Sequence, residues 1–302
     1  MNAISLEHIT KRFGDFTAVD DLSLQVPQGS IYGFIGPNGS GKTTTIRMIM
    51  NIFHPDSGKV IAFGEPRVDT HTDRIGYLPE ERGLYKKMKV RELLRFYGEL
   101  KTGKKVNDDV ELWLNKMELS DWANKKVDAL SKGMSQKVQF IATVVSKPDL
   151  VILDEPFSGL DPVNTNTLLT AMLDLQKNGA TIIFSTHDMS TAEKVCDYIF
   201  MIHKGKKVLD GTLSDIQNKY GTDTLRIRCE KKAVGLDSIV GIENVHDFGQ
   251  IQELRTTPGA DRQDILKALM VSNKLLSFEI MKPSLHDIFV RIASTTEEVS
   301  HV

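Results

Sequence analysis

Cysteine is scarce: the 302 residues hold only Cys196 and Cys229, which form no CxxC or other metal-spaced pair. That excludes a clustered thiolate site and makes a reducing compartment the natural home. Net charge is nearly absent too, at −2, so no global attraction to nucleic acid or to an acidic membrane surface is expected. No uninterrupted apolar run reaches the ~18–20 residues of a membrane span, and the N-terminus carries no signal-peptide pattern. Internal repeats and low-complexity tracts are missing as well. What the chain does have is 40% apolar residues, ample for a buried core, in a length that suits one large or two modest domains.

Residues 36–43 read GPNGSGKT, the G-x-x-x-x-G-K-[ST] phosphate loop. An apolar run, Ile31 to Ile35, precedes it and a helix-like stretch, Thr44 to Met50, follows. This is the strand–loop–helix setting in which the pattern carries meaning. Gly36, Gly39 and Gly41 let the backbone curl so that its N–H groups point inward at phosphate oxygens. A helix starting near Gly41 adds its positive end to the same anion. Lys42 is expected to reach the β- and γ-phosphates, and the Thr43 hydroxyl to ligate Mg2+. Pro37, Asn38, Ser40 and Thr44 complete the expected contact set. The loop predicts a bound nucleoside triphosphate.

A continuous apolar run, Leu150 to Leu153, reads as a buried parallel strand and ends in Asp154-Glu155. Functional groups of open α/β sheets gather at the carboxyl ends of strands, so these acids should face the loop. Asp154 is expected to complete the Mg2+ shell opposite Thr43, and Glu155 to act as the base for the attacking water. A second such strand, Ala180 to Phe184, runs into Ser185-Thr186-His187-Asp188. From that position His187 can donate a hydrogen bond to a γ-phosphate oxygen. An acidic pair at a strand end is also a common helix cap, and a lone His is commonly a surface residue. Their place beside a phosphate loop decides for function.

The first 30 residues alternate apolar and polar, which suggests antiparallel strands. From about 85 to 146 the pattern is helical, with Leu93-Leu94, Phe96-Tyr97, Leu112, Leu114, Met117 and Leu119 near helical spacing. Lys101 to Lys105 reads as a solvated loop. Near Tyr220-Gly221-Thr222-Asp223 a turn-like junction ends the nucleotide motifs. Beyond it, Leu225 to Cys229, Ile251 with Leu254, and Leu276 with Phe278 and Ile280 suggest three strands. Ile265 to Met270 and Leu285 to Ile292 suggest helices.

Between the two strands lies Leu130-Ser131-Lys132-Gly133-Met134-Ser135-Gln136, heading an apolar helix from Val138 to Ser146. A Ser and a Gly at a helix N-terminus make an anion site by capping and dipole alone. The string resembles the LSGGQ signature of ATP-binding-cassette (ABC) proteins, with Lys132 and Met134 replacing two of its residues. Three further segments support that resemblance: Phe13 in KRFGDF, Ser158-Gly159-Leu160-Asp161, and IGYLPEERGLY, where Glu80 stands in place of the usual Gln. YLPEERGLY and SLHDIFVRI (284–292) are similar to segments of ATPase subunits of type-2 ABC exporters, including the sodium-extrusion group.

The resemblance implies an α/β phosphate-loop ATPase fold: a mixed sheet core, an antiparallel β subdomain, a helical subdomain at about 85–146, and a small C-terminal α+β domain. Domains are expected at 1–220 and 222–302. It implies that Phe13 stacks on adenine and that Glu80 contacts Mg2+ and water. Ser131, Gly133 and Met134, with Asp161 in the loop crossing the interface, would serve the ATP of a second subunit, most simply a homodimer. The implied cofactors are ATP and Mg2+. The remaining partner is an integral membrane subunit, contacted near Glu80 to Val90, with the chain peripheral at the cytoplasmic face and no nucleic acid involved. The rival reading is a soluble ABC ATPase of DNA repair or translation. No sustained heptads lie between Thr43 and Asp154, and there is one cassette rather than two. Glu155 and His187 argue against a non-hydrolysing regulatory subunit.

Overall fold

The alternation of the first residues becomes a hairpin of β1 (Asn2–Phe13) and β2 (Phe16–Pro27), with Phe13 paired to Phe16 at its tip. The computed structural model of the chain describes residues 1–66, 73–81, 83–220, 224–257 and 259–298, leaving aside the side chains of 293–298. β4 (Ser57–Ala62) and the short β5 (Glu65–Pro66) extend the hairpin into a four-stranded antiparallel sheet, ordered β2-β1-β4-β5.

The continuous apolar runs form the centre of a second sheet. Its strands are β3 (Ile31–Ile35), β6 (Ile75–Leu78), β7 (Leu150–Asp154), β8 (Thr181–Thr186), β9 (Tyr198–His203) and β10 (Lys206–Gly211). The order is β10-β9-β3-β8-β7-β6, parallel throughout except for β10 at one edge. Every residue of β3, β7 and β8 is buried, which is why these strands read as unbroken apolar runs rather than alternating ones. The two sheets share one core, in which Ile4, Leu22 and Leu24 meet Tyr32, Phe34, Ile46, Ile183 and Phe200.

The helical block holds α2 (Val90–Thr102), α3 (Asn107–Lys116) and α4 (Lys132–Val144). Val110, Trp113, Leu114 and Met117 are buried at spacings of three and four, and Trp113 meets Phe140 of α4 edge-on at 5.9 Å. Leu112, on the other face of α3, is 60% exposed, and Phe96 of α2 is 41% exposed while Leu93 and Leu94 are buried. The expected solvated loop at Lys101 is corrected. Lys101 and Thr102 close α2, Gly103 caps it with φ 64°, and the Lys101 ammonium donates to the Ile75 carbonyl.

The chain divides into a compact unit Met1–Thr212 and a second from Leu213 onward. α7 (Leu213–Tyr220) therefore opens the second unit, whereas the sequence placed the boundary after it. Of the expected junction, Gly221, Thr222 and Asp223 lie outside the described residues. The second unit has an antiparallel sheet of β11 (Thr224–Cys229), β12 (Ile242–Asp247), β13 (Gln252–Thr256) and β14 (Leu275–Met281), ordered β12-β13-β11-β14. Ile265 and Leu269 of α8 (Arg262–Ser272) pack on Leu225, Ile227 and Leu254. At the head of α9 (Leu285–Glu298), the Ser284 N–H donates to the Asp287 carboxylate while the Asp287 N–H donates to the Ser284 hydroxyl. Leu285 and Ile288 are fully buried, so much of the SLHDIF segment serves to start and seat this helix.

Candidate active site

Strand pairing assembles the site. β8 lies between β3 and β7, with Ile35 opposite Thr186 and Asp154 opposite Ser185. The phosphate loop, the acidic pair and His187 therefore leave neighbouring strands at one end of the sheet. Two of the loop's glycines are there because side chains would not fit, while Gly39 has open space and is favoured by its φ of 75°. A Cβ on Gly36 would come 2.2 Å from the Ile202 carbonyl, and one on Gly41 would come 2.6 Å from that of Ala18. Gly41, at φ 112°, begins α1 (Lys42–Ile49) without a side-chain cap, and no acid occupies the first turn. The N–H groups there are left for an anion.

Lys42 is buried and donates to the Gly36 carbonyl at 2.7 Å and the Pro37 carbonyl at 3.2 Å. Its ammonium also lies 3.8 Å from Glu155 Oε1. Burial pushes this lysine below its usual range, against the pull of Glu155, Asp154 and Glu80. The Thr43 hydroxyl donates to Asp154 Oδ1 at 3.3 Å. Asp154 is 1% exposed, and its Oδ2 has no partner among the described residues; the buried Ser40 hydroxyl is likewise unpaired. Buried polar atoms of this kind take a partner such as water, an ion or a ligand oxygen.

Glu155 sits in the left-handed region at φ 49°, a conformation that costs a non-glycine residue about 1–2 kcal/mol. The backbone turn swings its carboxylate away from Asp154 to meet His187, whose Nδ1 lies 3.1 Å from both carboxylate oxygens. Ser185 makes this arrangement possible. Its buried hydroxyl donates to Asp154 Oδ1 at 2.5 Å and accepts the Glu155 N–H at 2.9 Å. Ser185 belongs to no sequence motif, and its part in the site comes from the strand pairing alone.

A cavity of about 390 Å³ opens over the loop. Asn38 to Thr44 line it, with Phe16 and Ala18 from β2 and with Glu80 and Glu155. Phe13 is not on its wall: it meets Phe53 edge-on at 5.4 Å, with the Lys11 ammonium 5.7 Å from its ring. The signature also lies outside this cavity. Ser131 caps α4 by accepting the Met134 N–H at 3.2 Å, and the Lys132 side chain lies over Gly159. Gly133 faces Asn164, and Asp161 caps α5 (Pro162–Lys177) through the N–H groups of Val163 and Asn164. The Asn164 backbone N–H and side-chain amide hold the Asp161 carboxyl below its usual range.

Residues 19–158 match the ABC transporter family, and residues 211–293 match the C-terminal domain of DrrA1-3-like ATP-binding proteins. The chain is 42% identical to a Bacillus subtilis protein described as the uncharacterized ABC transporter ATP-binding protein YhaQ, over 95% of this chain and 97% of that one. The chain is a member of the ABC transporter ATP-binding proteins. Proteins of this family bind and hydrolyse ATP to power transport, and they work with a membrane subunit. This ABC ATPase is also 35% identical to the Nod factor export ATP-binding protein I of Burkholderia lata, over 74% of its own length and 76% of the relative's. Among solved structures, an ATP-binding subunit of an ABC transporter superposes with TM-score 0.68 at 30% identity, over 72% of this chain and 93% of that one. Among the described residues no helix is long and apolar enough to cross a membrane.

Proposed function

We propose that this ABC ATPase drives export through a separate integral membrane subunit, at the cytoplasmic face of the membrane. One juxtaposition carries the reading: the Thr43–Asp154 pair and the Lys42–Glu155–His187 cluster stand together at the ends of three adjacent strands. Lys42 would exchange its two carbonyl acceptors for phosphate oxygens. Glu155 would take the proton of the attacking water, while His187 would turn its ring N–H from that carboxylate to a γ-phosphate oxygen. The aromatic hairpin tip, Phe13 with Phe16, would take the adenine ring. The likeness to the Nod factor export ATP-binding protein supports export as the direction of transport.

The residues fit Mg2+. Thr43 and Asp154 offer hard oxygen donors, Asp154 Oδ2 is unpaired, and Glu80 stands on the same cavity wall. No three acidic, His or Cys side chains form a cage by themselves among the described residues, so substrate oxygens and water must complete the shell. Bound there, the ion would neutralise phosphate charge.

Ser131, Gly133, Met134 and Asp161 are assigned to the ATP of a second copy of this chain, giving two shared sites. For the membrane subunit, Tyr85, Phe96 and Leu100 supply an apolar patch on the helical block, exposed by 56%, 41% and 70%. Residues 1–220 are assigned the ATP chemistry, and the accessory module from 222 onward is assigned subunit contact or regulation. The test is mixing Lys42→Ala with Ser131→Ala, each inactive alone. Half of the re-formed dimers would hold one intact site of two, so about a quarter of wild-type activity should return. An inactive mixture, or full activity in Ser131→Ala alone, would reject shared sites.

A further inference from the structure

Gln136 stands in the second turn of α4 and is 4% exposed. Its amide nitrogen donates to the Pro156 carbonyl at 2.7 Å. Since a carbonyl only accepts, this contact fixes which way the amide faces. The amide oxygen then has no partner among the described residues. This buried donor, used at the expense of an unsatisfied acceptor, reaches the carbonyl one residue after Glu155. An apolar residue of similar length would fill the same space without leaving that oxygen stranded.

Glu155 needs outside support because its backbone is held at φ 49°. The segment is gripped on both sides. Ahead of the turn, the Glu155 N–H is fixed by Ser185 at 2.9 Å; beyond it, the Pro156 carbonyl is fixed by Gln136 at 2.7 Å. Between the two grips the carboxylate is aimed at His187 and Lys42. We infer that Gln136 is a positioning residue for hydrolysis, holding the Glu155–Pro156 backbone in the conformation that aims the Glu155 carboxylate. The inference rests on Glu155 being the base.

The experiment uses the full chain, alone and with its membrane subunit, and measures kcat and KM for ATP beside the Kd for a fluorescent ATP analogue. Gln136→Met keeps length and helix propensity but has no donor. Its kcat should fall at least tenfold while the Kd stays within about twofold, a split that a general loss of packing would not produce. Gln136→Glu provides the rescue. Its introduced carboxyl donates to the Pro156 carbonyl only when protonated, so kcat relative to wild type at the same pH should rise from pH 8 to pH 6. Unchanged kcat in Gln136→Met, or parallel loss of kcat and ATP binding, overturns the inference. If Gln136→Met does not fold, the pH ratio of Gln136→Glu decides, and a flat ratio overturns it. Glu155→Gln separates the two levels: if it turns over at the wild-type rate, the role of Glu155 has failed, whatever Gln136 does.

Discussion

Replacing Ser185 with Ala removes a hydroxyl that no sequence motif marks. The side chain is fully buried and bonds two groups at once, the Asp154 carboxylate at 2.5 Å and the Glu155 N–H at 2.9 Å. A hydrogen bond to a charged group contributes about 1.5–3 kcal/mol, and one to a backbone N–H about 1 kcal/mol. Loss of both should destabilise the ATP-binding unit by roughly 2.5–4 kcal/mol. Both tryptophans, Trp113 and Trp122, belong to the first unit, so urea unfolding followed by their fluorescence reports that unit alone. Turnover should fall at least tenfold, which is about 1.4 kcal/mol, because Asp154 and Glu155 lose their common anchor. A stability change under about 0.5 kcal/mol, the level of an ordinary surface substitution, together with unchanged turnover would refute the anchoring role.

Two further outcomes follow from the same geometry. Glu80→Gln should be nearly silent, whereas Glu80→Ala should lower coupled turnover about fivefold, the worth of one hydrogen bond of ~1 kcal/mol, and leave ATP affinity nearly unchanged. Kinetics on the assembled complex beside ATP titrations check this, and an unchanged Ala variant would make Glu80 mere surface charge. Asp188 caps α6 (Met189–Val195). Burial would raise its pKa, but hydrogen bonds from Thr191 and Ser190 outweigh this and hold it below the usual range. Its stabilisation is therefore present above the unfolded value of about 3.9 and lost as pH falls through the lower folded one. Denaturation midpoints from pH 5 to pH 3 should fall less steeply in Asp188→Asn than in wild type, and identical slopes would exclude the effect.

Much of the site was legible because its signals are local. A glycine loop after an apolar strand, and acids at the end of another, announce themselves within a few residues. Ser185 was not legible, because its role arises from the β7–β8 register that sets it opposite Asp154. Phe16 was passed over for Phe13, although the hairpin pairing puts both at one tip and only Phe16 on the cavity wall. In the second unit, β12 went unread because an irregularity between Ile242 and Asn244 breaks its alternation. Leu275, rather than Leu276, packs inward because the register shifts between Arg228 and Cys229.

Lys42 resting on its own loop has a thermodynamic consequence. The ammonium has already left water and is held by the Gly36 and Pro37 carbonyls. Folding, not nucleotide binding, therefore carries most of its dehydration cost, and the loop meets its ligand preorganised. Those two carbonyls and the Glu155 carboxylate 3.8 Å away offset that cost within the protein itself. Saturating nucleotide then raises the unfolding free energy by RT ln(1 + [L]/Kd), about 2.7 kcal/mol at a hundredfold excess over Kd. Bound nucleotide therefore protects the folded subunit as well as fuelling it, since a larger unfolding free energy leaves less unfolded chain open to proteolysis.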